Sequence, residues 1–148
     1  MAETNVEAAL AGAYQTECRS LLTHLGGAAP FVDWASADDV ELVRRLIAEE
    51  QEHRRWLVDA LSDRGAAPPP CAQPTEAGAL AYLKLDFLLS RVIRDKRDRI
   101  GSHERHAARA AGDATASTPM ARILERSRRH LAALERLQAD AQRGSPAG

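Results

Sequence analysis

The sequence predicts an all-α protein, a four-helix bundle made of two helix hairpins joined by a Pro-rich crossover. Three observations carry that expectation. Apolar residues make up 45% of the 148-residue chain but aromatics only 4%, so a core would be built from Leu, Ala, Val and Ile, a mixture that favours packed helices over a sheet. Apolar positions recur with helical period in four stretches, each with start or stop signals. A spacing also occurs twice, as Glu17 then Glu50-x-x-His53 and as Lys96 then Ser127-x-x-His130, with 33 and 31 residues separating the first two members of each set.

The first helix is expected over residues 6–25, behind Thr4-Asn5-Val6-Glu7, which has the form of a capping box, and ahead of Gly26-Gly27. The second, 37–64, follows Ser36 as cap, carries Asp38 and Asp39 where the helix dipole favours anions, and stops at Gly65. The third, 76–111, begins near Thr75-Glu76, and Gly101-Ser102 is a place where it can bend. The fourth, 119–141, takes Thr118 as cap and Pro119 as its first helical residue, leaving 142–148 as a flexible tail. Residues 65–74, with Pro68-Pro69-Pro70 among them, could travel about 30 Å in polyproline II geometry and so set the third helix parallel to the second. The length fits one domain, 1–148.

Composition excludes several function classes. Twenty Lys and Arg nearly balance 21 Asp and Glu, a net charge of −1, which leaves no global field to attract nucleic acid or an anionic membrane. The N-terminus has no basic segment followed by an apolar stretch, and no apolar run reaches membrane-spanning length, so a soluble cytoplasmic protein is expected. Cys18, in a helical pattern, and Cys71, in the Pro-rich connection, read as two incidental free thiols. There is no Gly-rich phosphate loop, nucleophile elbow or thiol-enzyme pairing of Cys and His. His103-Glu104-Arg105-His106 reads as a solvated face. So does the cluster Arg91, Arg94, Lys96, Arg97 and Arg99, which Asp95 and Asp98 largely cancel. Trp34 is expected to cap the core, and Trp56 is a possible partner anchor.

Phase along each helix aims a few polar residues inward. Glu17 falls in the stripe of Val6, Leu10, Ala13 and Leu21. Glu50 lies near the centre of the stripe of Val43, Ile47, Leu57 and Leu61, with His53 on its shoulder, while Glu49 and Glu52 point elsewhere. Lys96 lies in the stripe that runs from Tyr82 through Leu85, Leu89, Ile93 and Ile100, and His103 is on it too. Ser127 sits among Ile123, Leu124, Leu131 and Leu134, and His130 is phased like His53.

These residues resemble the ferritin-like superfamily, in the sense of rubrerythrin-like or bacterioferritin-like bundles, over residues 4–141. The stretch Ile47-Ala48-Glu49-Glu50-Gln51-Glu52-His53 is similar to the metal-ligand segment of those families' second helix. The resemblance implies Glu17, Glu50 and His53 as ligands from the first half and His130 as the survivor of the second. Lys96 and Ser127 stand where it implies carboxylates, so the dimetal site is degenerate and di-iron oxidase or ferroxidase activity is not expected. It also implies a homo-oligomer. Two readings stay open. In one, a single divalent ion, Fe, Mn or Zn, is held by Glu17, Glu50, His53 and His130 in a protein of iron handling or oxidative-stress defence. In the other, a metal-free network of Lys96, Arg54, Glu17 and Glu50 fills the core, and the bundle is a structural or protein-interaction module without turnover.

Overall fold

The computed structural model describes residues 2–28, 34, 36–72 and 84–144. Among them are five helices and no strand: α1 (Ala2–Cys18), α2 (Leu21–Ala28), α3 (Ala37–Asp63), α4 (Leu85–Arg109) and α5 (Ala114–Gly144). Because α1 and α2 together form the first rod, the architecture is the expected all-α four-helix bundle.

The helix expected over 6–25 begins earlier and breaks at Arg19-Ser20. Neither Gly nor Pro causes the break. Ser20 leaves the helix to act as a cap, its Oγ accepting the Thr23 N–H at 3.2 Å, and the Leu21 N–H donates across the bundle to Asp95 Oδ2 at 3.0 Å. The second rod follows its signals closely. Ser36 Oγ accepts the Asp39 N–H, and at the far end Gly65 takes φ 73° while Gly65 N–H donates to the Ser62 carbonyl and Ala66 N–H to that of Leu61. That is a Schellman termination, and a side chain at Gly65 would be strained there.

Two further boundaries differ from expectation. The proposed start of the third helix at Thr75-Glu76, and Tyr82 on its stripe, lie outside the described residues, but Lys84, expected inside that helix, is extended and caps α4, which begins at Leu85, ends at Arg109 and passes Gly101 without a break. The last helix starts at Ala114, not at Pro119, because Asp113 caps it: Oδ1 accepts from Thr115 Oγ1 and Ala116 N–H, and the Asp113 carbonyl accepts the Ser117 N–H. Pro119 then sits in the second turn, where its ring withholds the donor the Thr115 carbonyl would meet, yet the helix continues. It extends to Gly144, so 142–144 of the expected tail are helical and the remainder lies outside the described residues.

Side-chain pairings fix the topology. Leu21, Leu22 and Leu25 share an apolar cluster with Val43 and Leu46, while Val6 and Leu10 share another with Leu57 and Leu61, so the first rod runs antiparallel to α3. Leu88 and Leu89 at the start of α4 join Val43 and Leu46 at the start of α3, and Ala110 just past α4 joins Leu57, Ala60 and Leu61. Arg64 and Asp113 close the same end with a 2.7 Å ion pair. Hence α3 and α4 are parallel, with the end of α3 and the start of α4 at opposite ends of the bundle, the arrangement of two hairpins joined by a crossover.

Cys18 and Cys71 are not free thiols. They form a disulfide with Cα atoms 5.3 Å apart, tying the crossover to the end of α1. The core itself is divided into two apolar clusters, one built around Leu22, Leu46, Leu89 and Leu134 with Trp34 packed against it, the other around Leu10, Leu57, Met120 and Ile123. No helix among the described residues is long and apolar enough to cross a membrane.

Candidate functional site

Between the two apolar clusters lies a layer of buried polar side chains. Glu17 comes from α1, Glu50 and His53 from α3, Lys96, Arg99 and His103 from α4, and Ser127 and His130 from α5; none is more than 5% exposed. Buried carboxylates and cations persist only when paired and hydrogen-bonded, so the partners of each decide what the layer is.

Glu50 is saturated. Its Oε1 accepts from Ser20 Oγ at 2.5 Å and Thr23 Oγ1 at 2.7 Å, the two hydroxyls placed by the α1–α2 break, and its Oε2 accepts from Lys96 Nζ and from Arg99 Nη2 at 2.9 Å. Glu17 Oε1 accepts from His103 Nε2 at 2.8 Å and from His53 Nδ1 at 3.4 Å, and its Oε2 lies 3.6 Å from Arg99 Nη1. Arg99 therefore bridges the two glutamates. Its Nε donates to Asp95 Oδ2, which also receives the Leu21 N–H, so one carboxylate on α4 orients both the guanidinium and the start of α2.

Lys96 continues the chain outward. Its Nζ lies 3.5 Å from His130 Nδ1, and His130 Nε2 lies 3.0 Å from Glu49 Oε1. An ammonium has only donors, so Nδ1 accepts and the Nε2 hydrogen points at Glu49. The two imidazoles that sequence phase aligned, His53 and His130, stack at 5.7 Å between ring centroids. On the outer side Arg126 pairs with Glu49 and Glu52, and Arg122 and Arg126 cover the Trp56 ring at 4.2 and 4.8 Å.

Burial resists ionisation of both core glutamates, yet their partners overcome it. Hydrogen bonds from His103 and His53, with the Arg99 charge, hold the Glu17 carboxyl well below its ordinary range, and Lys96 with Arg99 does the same for Glu50. Burial pulls Lys96 below the usual lysine value against the opposing pull of Glu50, while the surrounding carboxylates, outweighing burial, raise Arg99. Burial and the nearby Lys96 push His130 down to about 4, despite Glu49. Two carboxylates thus face two cations, and the centre of the layer is neutral.

That donor set does not fit a metal pair. Of the residues read as ligands, Glu17 and His53 are in contact, but Glu50 meets Lys96 instead of an imidazole, and the His130 lone pair faces the same ammonium. An added ion would have to displace Lys96 and Arg99 from oxygens they already neutralise. Among the described residues no group of three His, Cys, Asp or Glu side chains stands together to hold one. Arg54 lies half-buried at the edge of the α3 stripe without an ion pair among the described residues, and Arg99 occupies the role expected of it. His103, which phase put on the same inward stripe as Lys96 although the string His103-Glu104-Arg105-His106 read as a solvated face, is buried against Glu17, and Glu49, expected to point elsewhere, reaches His130.

Arg99 and His103 were readable in principle, since Lys96, Arg99, Ile100 and His103 follow the same three-and-four period that places Lys96 inside. The hydroxyls of Ser20 and Thr23 had no such signal, because the helix break that presents them depends on Asp95 from another helix.

No protein-family model matches this sequence, and no curated protein does either. A solved structure described as ferritin-like, diiron-carboxylate proteins from Bacillus anthracis str. Ames is similar to it, with a TM-score of 0.69 at 15% identity, covering 93% of this chain and 98% of that one. With the crossover and the parallel α3 and α4, that likeness gives the chain a ferritin-like fold.

Proposed function

We propose that this chain is a metal-free ferritin-like bundle whose core cations are its own Lys96 and Arg99, serving as a structural or protein-binding module without turnover. One observation supports this above all: Lys96 Nζ is seated on Glu50 Oε2 while Arg99 spans Glu50 and Glu17. A side-chain ammonium occupies the place where an external ion would meet the carboxylates. A second reading, one divalent ion held by Glu17, Glu50, His53 and His130 in a protein of iron handling or oxidative-stress defence, draws on the description of the similar structure and on two buried atoms without a hydrogen bond, His53 Nε2 and Glu17 Oε2, the latter in ion-pair range of Arg99.

Elemental analysis distinguishes the two. The protein is incubated anaerobically with Fe²⁺, Mn²⁺ or Zn²⁺ and desalted; the first reading expects no retained metal, and one ion per chain that is lost in Glu50→Ala would overturn it. The variant Lys96→Glu/Arg99→Ala/Ser127→Glu, which replaces both cations, is expected to gain metal that the parent lacks. We also infer a homo-oligomer, checked by sedimentation velocity. A cytoplasmic residence stands in tension with the Cys18–Cys71 bond, since such bonds persist mainly in oxidising surroundings. Alkylation trapping of the thiols in fresh cell extract would decide that point.

A further inference from the structure

A cleft of about 350 Å³ opens between α3 and α5, on the outer side of His130. On α5, Arg129, Ala132, Ala133 and Arg136 follow at i, i+3, i+4 and i+7 and form one stripe, so two small residues leave a hollow between two guanidinium groups. Arg45 and Glu49 face the hollow from α3. The nearby arginines are paired: Arg44 with Glu41, Arg126 with Glu49 and Glu52, and Arg128 with Glu104. Arg45, Arg129 and Arg136 make no hydrogen bond or ion pair among the described residues. Glu49 offsets part of this charge, since its carboxylate interacts electrostatically with Arg45 as well as with Arg126 and His130, but one carboxylate cannot balance three guanidinium groups.

We propose that this cleft binds a small oxyanion carrying two negative charges, with a phosphate group as its type. Three guanidinium groups against one engaged carboxylate leave the lining positive on a chain whose net charge is −1, so the charge is local to the cleft. A planar fork of N–H donors matches a tetrahedral oxyanion in pairs of bonds, which a lysine point charge would not provide. The volume is that of a small-molecule site and too small for a macromolecular groove. An anion there would relieve the mutual repulsion of the three cations.

The test is calorimetric titration of the full chain with inorganic phosphate, and separately with glycerol 3-phosphate, in about 150 mM NaCl so that simple screening is already present. Saturable binding is expected. Preference for inorganic phosphate would mark a free-anion site, and preference for the ester a site for a phosphorylated metabolite. Arg129→Ala/Arg136→Ala should weaken binding by at least about tenfold, and Arg45→Ala, from the opposite helix, should weaken it independently. Arg128→Ala, which removes an arginine outside the cleft, should leave it unchanged. Circular dichroism checks that each variant is folded, and if the double variant is not, Arg45→Ala alone decides. No saturable heat up to about 20 mM of either anion, parent-like affinity in the folded cleft variants, or an equal loss in Arg128→Ala would overturn the proposal.

Discussion

The two hairpins present equivalent positions to the core and fill them with opposite charge. From the first come Glu17 and Glu50; from the second come Lys96, at the position spaced like Glu17, and Arg99 one turn on, with Ser127 where Glu50 has its counterpart. His53 and His130 are the part that remains alike, and they stack against one another. The difference teaches how a buried polar layer can be kept without an external ion: one half supplies anions, the other supplies cations, and the layer becomes neutral by pairing across the bundle. It also separates roles. The first half's carboxylates are held ionised largely by groups of the second half: His103 and Arg99 for Glu17, Lys96 and Arg99 for Glu50.

The largest expected effect comes from breaking that pairing on one side. Lys96→Ala leaves Glu50 buried with Arg99 as its only cation and should destabilise the fold by about 3–5 kcal/mol in urea denaturation. Replacing both partners, as in Lys96→Met/Glu50→Leu, should recover much of that loss, because Arg99 keeps Glu17 and Asp95; a double variant no more stable than Lys96→Ala would mean that the pair is not coupled. Opening the tie between the halves is next. Cys71→Ser removes a bond spanning 53 residues of sequence, and loop-closure entropy puts the loss at about 4 kcal/mol, read as a lower unfolding midpoint matched by the reduced parent.

Acid should act in two stages. Folded His130 binds its proton only near 4, whereas an unfolded histidine binds near 6.5, so the unfolded state takes up the extra proton as pH falls through that window and stability declines by on the order of 3 kcal/mol. Glu17 and Glu50 are depressed in the folded state, so the stability they contribute is present above the ordinary carboxylate range and is lost only at lower pH. His130→Gln should flatten the upper stage and leave the lower one, as followed by unfolding midpoints from about pH 7 down to about pH 2. The smallest effect is expected at Ser127, whose buried Oγ has no partner: Ser127→Ala should change stability by less than about 1 kcal/mol, whereas a clear loss would show that the hydroxyl is used.

The fold was legible where local signals agree with packing. Ser36, the paired Asp38 and Asp39, and Gly65 bound α3 by chemistry that operates within a single turn, and the length of the Pro-rich connection anticipated the crossover. Glu17, Glu50, His53, Lys96 and His130 were legible because a polar residue inside an apolar stripe contradicts its surroundings. Arg99 was hidden by the opposite circumstance, since it stands among Arg91, Arg94 and Arg97, which are exposed, and only its period distinguishes it from them. The break at Ser20 and the start of α5 at Asp113 depend on side chains that compete with weaker local signals, and the break needs Asp95 from another helix. The cysteine pairing could not be read at all, because one partner lies in a connection without phase.

The bond between Cys18 and Cys71 closes residues 18–71 into a covalent ring that contains α2 and α3 whole and leaves α4 and α5 outside. A protease cut anywhere within the ring yields two chain ends but no separate fragment. Such nicked protein should migrate as one species on a non-reducing gel and as two on a reducing one. Glu50 and His53 lie inside the ring, Lys96 and Arg99 beyond it, so the line between what is held by covalent bonds and what is held by packing runs through the charge network itself.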